Sequence, residues 1–270
     1  MTAAATRRER DSMGEMDVPE GAGAHGRGMA QRAAGPVAER LAALDWKEIE
    51  ASLWERGFAE TAPVLTPPEC AALAALYGDA ERFRKTVDME RHRFGVGAYR
   101  YFRDPLPPLV RELRTHAYRR LAPIANAMER ALGRPGRFPP TLGALRALCR
   151  RHGQPHPTPL LLRDREGGYN CLHRDLYGPL VFPLQLACFL SRPGRDYRGG
   201  AFLLVEQRPR SQSIADALLP EQGALVIFAT ADRPARGARG FHRAAMRHGV
   251  ARVTAGERYT LGVIFHDAKS

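Results

Sequence analysis

Lysine is nearly missing from this 270-residue chain: only Lys47, Lys85 and Lys269 are found among its 41 basic side chains, and the rest are arginine. Guanidinium forks suit phosphate and carboxylate recognition, and with 29 acidic residues the net charge of +12 points towards an acidic partner such as nucleic acid. Genome composition biases a chain towards arginine just as well, so charge alone does not choose the substrate. Cysteine is scarce too. Cys70, Cys149, Cys171 and Cys188 are scattered with no C-x-x-C pair, which argues against a zinc ribbon and a disulfide framework and fits a reducing compartment. The first 30 residues lack the apolar run of a signal peptide, and no uninterrupted apolar stretch is long enough to span a bilayer. The expectation is a soluble, cytoplasmic protein without a membrane partner. What is present, 44% hydrophobic residues, suffices for a core, and the length suits one large catalytic domain.

Residues 1–35 are rich in Ala, Gly, Arg and Glu, with almost no large apolar side chains besides methionine, and read as a disordered tail. Residues 36–158 read as a helical support region. Val37, Leu41, Leu44, Ile49 and Leu53 recur near helical spacing, with Gly57 as a stop. Thr66-Pro67-Pro68-Glu69 is a capping box that opens a second helix ending at Gly78. Residues 94–102 mix aromatics with glycines and read as a strand or a loop in close backbone contact; their spacing is wrong for a dinucleotide fingerprint. Pro105, Pro107 and Pro108 lead into a long amphipathic helix carrying Leu109, Leu113, Leu121, Ile124 and Met128, and a shorter helix follows around Leu142, Leu145 and Leu148.

From residue 159 to 270 the pattern changes to short β-rich runs at 159–163, 169–173, 181–190, 201–206, 223–229, 240–250 and 258–266. Such runs without helices between them predict an α+β protein whose core is a double-stranded β-helix, a jelly roll of the cupin kind.

Chemistry concentrates in Leu172-His173-Arg174-Asp175-Leu176, taken with His248 and Arg258 far downstream. Two imidazoles and one carboxylate on one face of an ion leave its other face open, the layout of a mononuclear iron site. Strand alternation predicts that Tyr169 and Cys171 share the face of His173, with Asn170 and Leu172 opposite. A lone H-x-D is usually a surface accident, and His-Arg-Asp-Leu also opens a protein-kinase catalytic loop. The kinase pattern requires Asn where Leu180 stands, together with a glycine-rich loop and an Asp-Phe-Gly that are missing, and is rejected. His242 competes with His248 as second imidazole; the apolar strand pattern around His248 favours the latter. His92, His116, His152, His156 and His266 read as ordinary core or surface residues. If residues 254–257 form a turn, Arg258 lies opposite Val253, roughly 17 Å along the strand from His248. That gap suits an imidazole, an ion and a five-carbon diacid clamped bidentately by Arg258, with Thr260 on the same strand face as a hydroxyl donor.

These linked pieces resemble the iron(II)- and 2-oxoglutarate-dependent dioxygenases of the prolyl-4-hydroxylase-like branch: Gly167 through Asp175, Asp196 through Phe202, Gly223 through Phe228, and His248 through Phe265. Phe94-Gly95-Val96-Gly97, Phe182-Pro183-Leu184-Gln185, Glu206 through Arg210 and Ile264 through Ala268 look more narrowly like a bacterial family of uncharacterised oxygenases described as acting on damaged or methylated nucleic acid. The resemblance implies His173, Asp175 and His248 as iron ligands, Arg258 as the 2-oxoglutarate anchor, and 2-oxoglutarate and dioxygen as cosubstrates. Relatives often carry a tyrosine where this chain has Asp164, and a carboxylate there would repel a dianion unless Arg163 or Arg165 compensates.

The implied activity is hydroxylation of a C–H bond with release of succinate and CO2. An N-methylated base would be demethylated; a protein side chain or small metabolite would become an alcohol. A non-catalytic cupin-like binder of metal or ligand, and a purely structural jelly roll, are the other readings. For nucleic acid the sequence offers Arg208, Arg210, Arg233, Arg236, Arg239, Arg243 and Arg247, a Gly- and Arg-rich loop over residues 230–240 read as a flap or a phosphate contact, and Tyr99, Tyr101 and Tyr177 as stacking candidates.

Overall fold

The computed structural model describes residues 35–238 and 240–270. The tail expected over residues 1–35 therefore lies, but for its last residue, outside the described residues, as does Arg239. Among the described residues the α-helices are α1 (Val37–Ala42), α2 (Trp46–Arg56), α3 (Pro67–Ala75), α4 (Pro108–Ala131) and α5 (Leu142–Arg151). Fourteen strands follow the chain as β1 (Phe58–Glu60), β2 (Phe83–Asp88), β3 (Gly95–Val96), β4 (Ala98–Phe102), β5 (Leu160–Arg165), β6 (Tyr169–His173), β7 (Leu184–Phe189), β8 (Tyr197–Gly199), β9 (Phe202–Gln207), β10 (Ile214–Leu218), β11 (Leu225–Ala229), β12 (Asp232–Gly237), β13 (Gly240–Val250) and β14 (Val253–Ile264).

The strands form two antiparallel sheets. The larger has the order β1-β11-β7-β14-β5-β4-β2, with β8 on the early part of β14; the smaller has the order β10-β9-β13-β6-β3, with β12 beside β13. This is the expected jelly roll, with strands from the front half extending both sheets. The larger sheet is buried on both faces, which explains the near-continuous apolar runs of β7 and β11. Leu161, Leu186, Leu225, Ile227, Leu261 and Val263 turn one way, into a core shared with the helices. Ala187, Phe189, Val226 and Phe228 turn the other way, against Phe202, Leu204 and Val250 of the smaller sheet.

Local chemistry accounts for the helix boundaries. The Thr66 hydroxyl accepts from the Glu69 N–H at 3.3 Å while the Glu69 carboxylate accepts from the Thr66 N–H at 2.7 Å, the reciprocal cap read from the sequence. The single helix expected over residues 36–54 is two, because the Asp45 carboxylate accepts from the N–H groups of Lys47 and Glu48 and restarts the helix. Arg114 of α4, fully buried, donates to the Ile264 and Phe265 carbonyls and to Asp267 Oδ1 at 2.7 Å, which fastens the longest helix to the end of β14.

The turn expected at residues 254–257 is absent. The chain reverses at Ala251 and Arg252, and β13 and β14 belong to different sheets, so Arg258 does not lie opposite Val253 but pairs with Asp164 of β5. Gly256 has φ +79 for another reason: a Cβ there would lie 2.2 Å from the Asp196 carbonyl, where β8 crosses close to β14. The segment read as a flap at residues 230–240 is largely β12, paired residue for residue with β13.

Candidate active site

β6 and β13 lie side by side, and His173 pairs with His248. Direct antiparallel partners present their side chains on one face within about 5 Å, and here the imidazole centroids are 4.2 Å apart. Asp175 follows the end of β6 and turns towards both rings. Its Oδ1 is 3.5 Å from His173 Nε2, and its Oδ2 is 3.2 Å from His248 Nε2. One donor atom from each residue lies within 4.8 Å of the others; among the described residues no other cluster of His, Cys, Asp or Glu has metal-ligand spacing.

Protonation in the cluster suits a cation. Burial lowers the His248 pKa despite the adjacent carboxylate. Burial alone would raise Asp175, but the charge and hydrogen bonds of the two imidazoles outweigh it and hold the carboxyl well below its usual range. At His173 burial is offset by the hydrogen bond and charge of Asp175, and the pKa rises. His173 Nδ1 donates to the Cys171 carbonyl at 2.8 Å, which leaves Nε2 with its lone pair towards Asp175.

His242 takes no part. Six residues along an extended strand is roughly 20 Å, and His242 lines a separate hollow with Arg208, Arg210 and Gly237. The expected facing of β6 is also corrected. Two steps on β13, from His248 to Val250, match three on β6, from His173 back to Asn170. This bulge breaks the alternation, so Asn170 rather than Tyr169 or Cys171 joins His173 in the cavity, and Cys171 faces solvent.

The cavity between the sheets measures about 190 Å³. The triad occupies its small-sheet wall, and Arg258, Thr260, Gly262 and Ile264 of β14, with Gln185 and Ala187 of β7, line the facing wall. Every second residue of β14 points inward, which is why Arg258 and Thr260 share it. Arg258 is 1% exposed; its Nη1 donates to Asp164 Oδ2 at 2.8 Å, and its guanidinium carbon lies 5.4 Å from the Phe189 ring centroid. Arg258 itself thus compensates Asp164, while Arg163 and Arg165, expected in that role, face Glu257. Burial raises the Asp164 pKa, partly offset by Arg258.

Four buried groups on this wall have no protein partner: Arg258 Nε and Nη2, Thr260 Oγ1 and Gln185 Nε2. Unpaired buried donors cost about 1–3 kcal/mol each, so the wall is built to receive a ligand rich in acceptor oxygens. In the sequence Gln185 stands in an apolar run and closes the Phe182-Pro183-Leu184-Gln185 piece of the family resemblance, with no role assigned to it.

The proposed phosphate and stacking groups scatter. Arg233 is buried and paired with Glu206 at 2.5 Å, and Arg208 pairs with the same carboxylate. Arg210, Arg236, Arg243 and Arg247 are exposed, and none of them lines the cavity. Tyr99 lines the cavity. Tyr177 lines it too, with its hydroxyl donating to Asp175 Oδ1 at 2.5 Å, while Tyr101 is buried. The exposed ring at the cavity is Phe94, 46% accessible and stacked on His92 at 5.3 Å. Its carbonyl accepts from the Cys171 N–H at 2.7 Å, tying it to β6.

Residues 97–268 match the model of a protein family described as an oxygenase catalysing oxidative methylation of damaged DNA. An uncharacterized protein of Mycobacterium tuberculosis (strain ATCC 25618 / H37Rv) is 43% identical over 194 residues, which cover 70% of this chain and 83% of that protein. Among solved structures, a prolyl-4-hydroxylase of Pseudomonas putida superposes with a TM-score of 0.48 at 14% identity over 80% of this chain and 96% of its own. An oxidoreductase of the 2OG-Fe(II) oxygenase family from Burkholderia pseudomallei gives a TM-score of 0.47 at 16% identity over 83% and 92%.

Proposed function

Since this chain belongs to the oxygenase family described as catalysing oxidative methylation of damaged DNA, we propose that it is an iron(II)- and 2-oxoglutarate-dependent dioxygenase that oxidises methylated bases in nucleic acid. The observation that carries this reading is the pairing of two features in one cavity: a cluster of two imidazoles and a carboxylate on one wall, and unpartnered donors of Arg258, Thr260 and Gln185 on the other. The first fits a ferrous ion through nitrogen and oxygen donors that leave open positions. The second fits a carboxylate of a short diacid.

His173, Asp175 and His248 would hold the ion, which when bound supplies the site at which dioxygen and 2-oxoglutarate react. Arg258 and Thr260 bind and orient the far carboxylate of 2-oxoglutarate. Leu160, Leu162, Phe202, Phe228 and Ile264 line the space between and exclude water from it. The overall balance takes one dioxygen and one 2-oxoglutarate to succinate and CO2, with one oxygen atom inserted into a substrate C–H bond. On an N-methyl group the resulting carbinol loses formaldehyde and restores the base.

The mouth supports nucleic acid as substrate. Phe94 and Arg174 are both exposed and both line the cavity. An aromatic face beside a cation suits an unpaired base and its phosphate.

Anaerobic addition of Fe(II) and then 2-oxoglutarate tests the site: a weak visible charge-transfer band is expected, and a His173→Ala variant that kept the band would refute the assignment. Succinate release stimulated by methylated single-stranded DNA at low salt tests the substrate. Stimulation by peptides alone would turn the reading to a protein hydroxylase.

A further inference from the structure

We infer that Tyr177 is a positioning residue that fixes the orientation of the Asp175 carboxylate for the metal, an inference that rests on the metal site proposed above. The Tyr177 hydroxyl donates to Asp175 Oδ1 at 2.5 Å. β6 ends at His173, so no ladder hydrogen bond fixes Asp175, and the residue between them and the phenol, Leu176, is exposed. The backbone of residues 174–178 is neither helix nor strand. The phenol directs the carboxylate together with the two imidazoles beside it.

The phenol is itself held. Tyr101 packs edge-on against its ring at 6.3 Å and 89°, and Tyr99 packs edge-on against Tyr101 at 5.4 Å and 88°. On the far side the His266 ring lies 6.1 Å away. Just beyond Tyr177 the chain is pinned by buried Gln154, whose side chain accepts from the Leu180 N–H at 2.9 Å and donates to the Leu180 carbonyl at 3.0 Å. A Cβ on Gly178 would sit 2.7 Å from Gln154, so the backbone passes against that side chain.

The consequence is chemical. A carboxylate can engage an ion through one oxygen or both. The phenol hydrogen lies on Oδ1 while Oδ2 is 3.2 Å from His248 Nε2, so the hydroxyl sets which way the carboxylate is rotated in the site that would hold the ion. Outer partners of metal ligands typically contribute 10- to 100-fold in metal affinity.

Tyr177→Phe deletes only the hydroxyl. Anaerobic calorimetric titration of the full chain with Co(II), which needs no turnover, is expected to show the dissociation constant rising about 10- to 100-fold, with a changed Co(II) visible absorption spectrum. Tyr118→Phe removes a buried hydroxyl that donates to the Pro139 carbonyl, away from Asp175, and should bind Co(II) within about twofold of the parent. Equal affinity and an unchanged spectrum in Tyr177→Phe would overturn the inference while leaving the metal site standing; so would an equal loss in both variants, which would mark a packing effect. A parent protein that does not bind Co(II) would remove the metal site and this inference together.

Discussion

Arg258 Nη1 donates to Asp164 Oδ2 at 2.8 Å, with both side chains out of solvent. The guanidinium proposed to anchor a diacid is therefore already half neutralised, with Nη1 taken and Nε and Nη2 left unpartnered. Removing one member of a buried pair costs about 3–5 kcal/mol because the other charge is left alone. Asp164→Asn is expected to melt well below the parent, and to recover more on addition of 2-oxoglutarate, whose carboxylate supplies the missing charge. Thermal denaturation with and without 2-oxoglutarate measures both. Equal ligand-induced shifts in the two proteins would mean that the diacid does not reach Arg258.

Arg114 joins α4 to the segment after β14 through two carbonyls and Asp267, wholly within the core. Asp267 keeps a second partner, Arg146 Nε at 3.0 Å. Arg114→Met is expected to lower the unfolding free energy by about 3 kcal/mol, the low end for a broken buried pair. Urea denaturation at constant m-value reads the loss, and a change under about 1 kcal/mol would contradict this account.

His266 is buried and neutral; burial lowers its pKa to about 4, with Asp175 pulling it up and Arg114 down. Its Nδ1 accepts from the Phe182 N–H at 3.2 Å, a bond that exists only in the neutral ring. In the unfolded chain the imidazole takes a proton near its ordinary value, about 6.5. Stability from this group is therefore complete above that value and is lost as pH falls towards 4, by up to about 1.4 kcal/mol per pH unit. Urea midpoints between pH 7 and 5 should fall more steeply for the parent than for His266→Asn, and parallel slopes would count against it.

Phe94 and Arg174 separate stacking from charge at the cavity mouth. Phe94→Ala is expected to weaken binding of a methylated single-stranded oligonucleotide by about 1–3 kcal/mol with little change in salt dependence, whereas Phe94→Trp retains it. Arg174→Ala is expected to flatten the plot of log K against log salt by about 0.7, one phosphate's worth on a single strand. Fluorescence anisotropy across a salt series reads both, and a Phe94→Ala variant with parental affinity would place the base elsewhere.

Much of the site was legible where residue type and short spacing carry the information. His173 and Asp175 form a local pattern, and the strands at 169–173 and 240–250 have the bounds that their alternation and flanking glycines suggest. The choice of His248 over His242 also followed from its strand context. Misreadings arose where one strand's state depends on another far away. Tyr169 and Cys171 were assigned to the cavity because the β6 bulge comes from its pairing with β13, some 80 residues on. Arg233 reads as a surface cation until Glu206 is brought to it from β9. That the Tyr177 hydroxyl meets Asp175 is likewise not readable from the local sequence.

The amino-acid order by itself determined the class of fold, the helix caps and the residue types able to ligate an ion, since apolar periodicity, capping geometry and side-chain chemistry are local properties. Only the tertiary structure decided that Arg258 reaches the cavity from the opposite sheet, that Asp164 is its partner, and that Asn170, Gln185 and Phe94 belong to the site. Those facts depend on which strands pair and in what register, and a shift of one residue would turn each of these side chains to the other face.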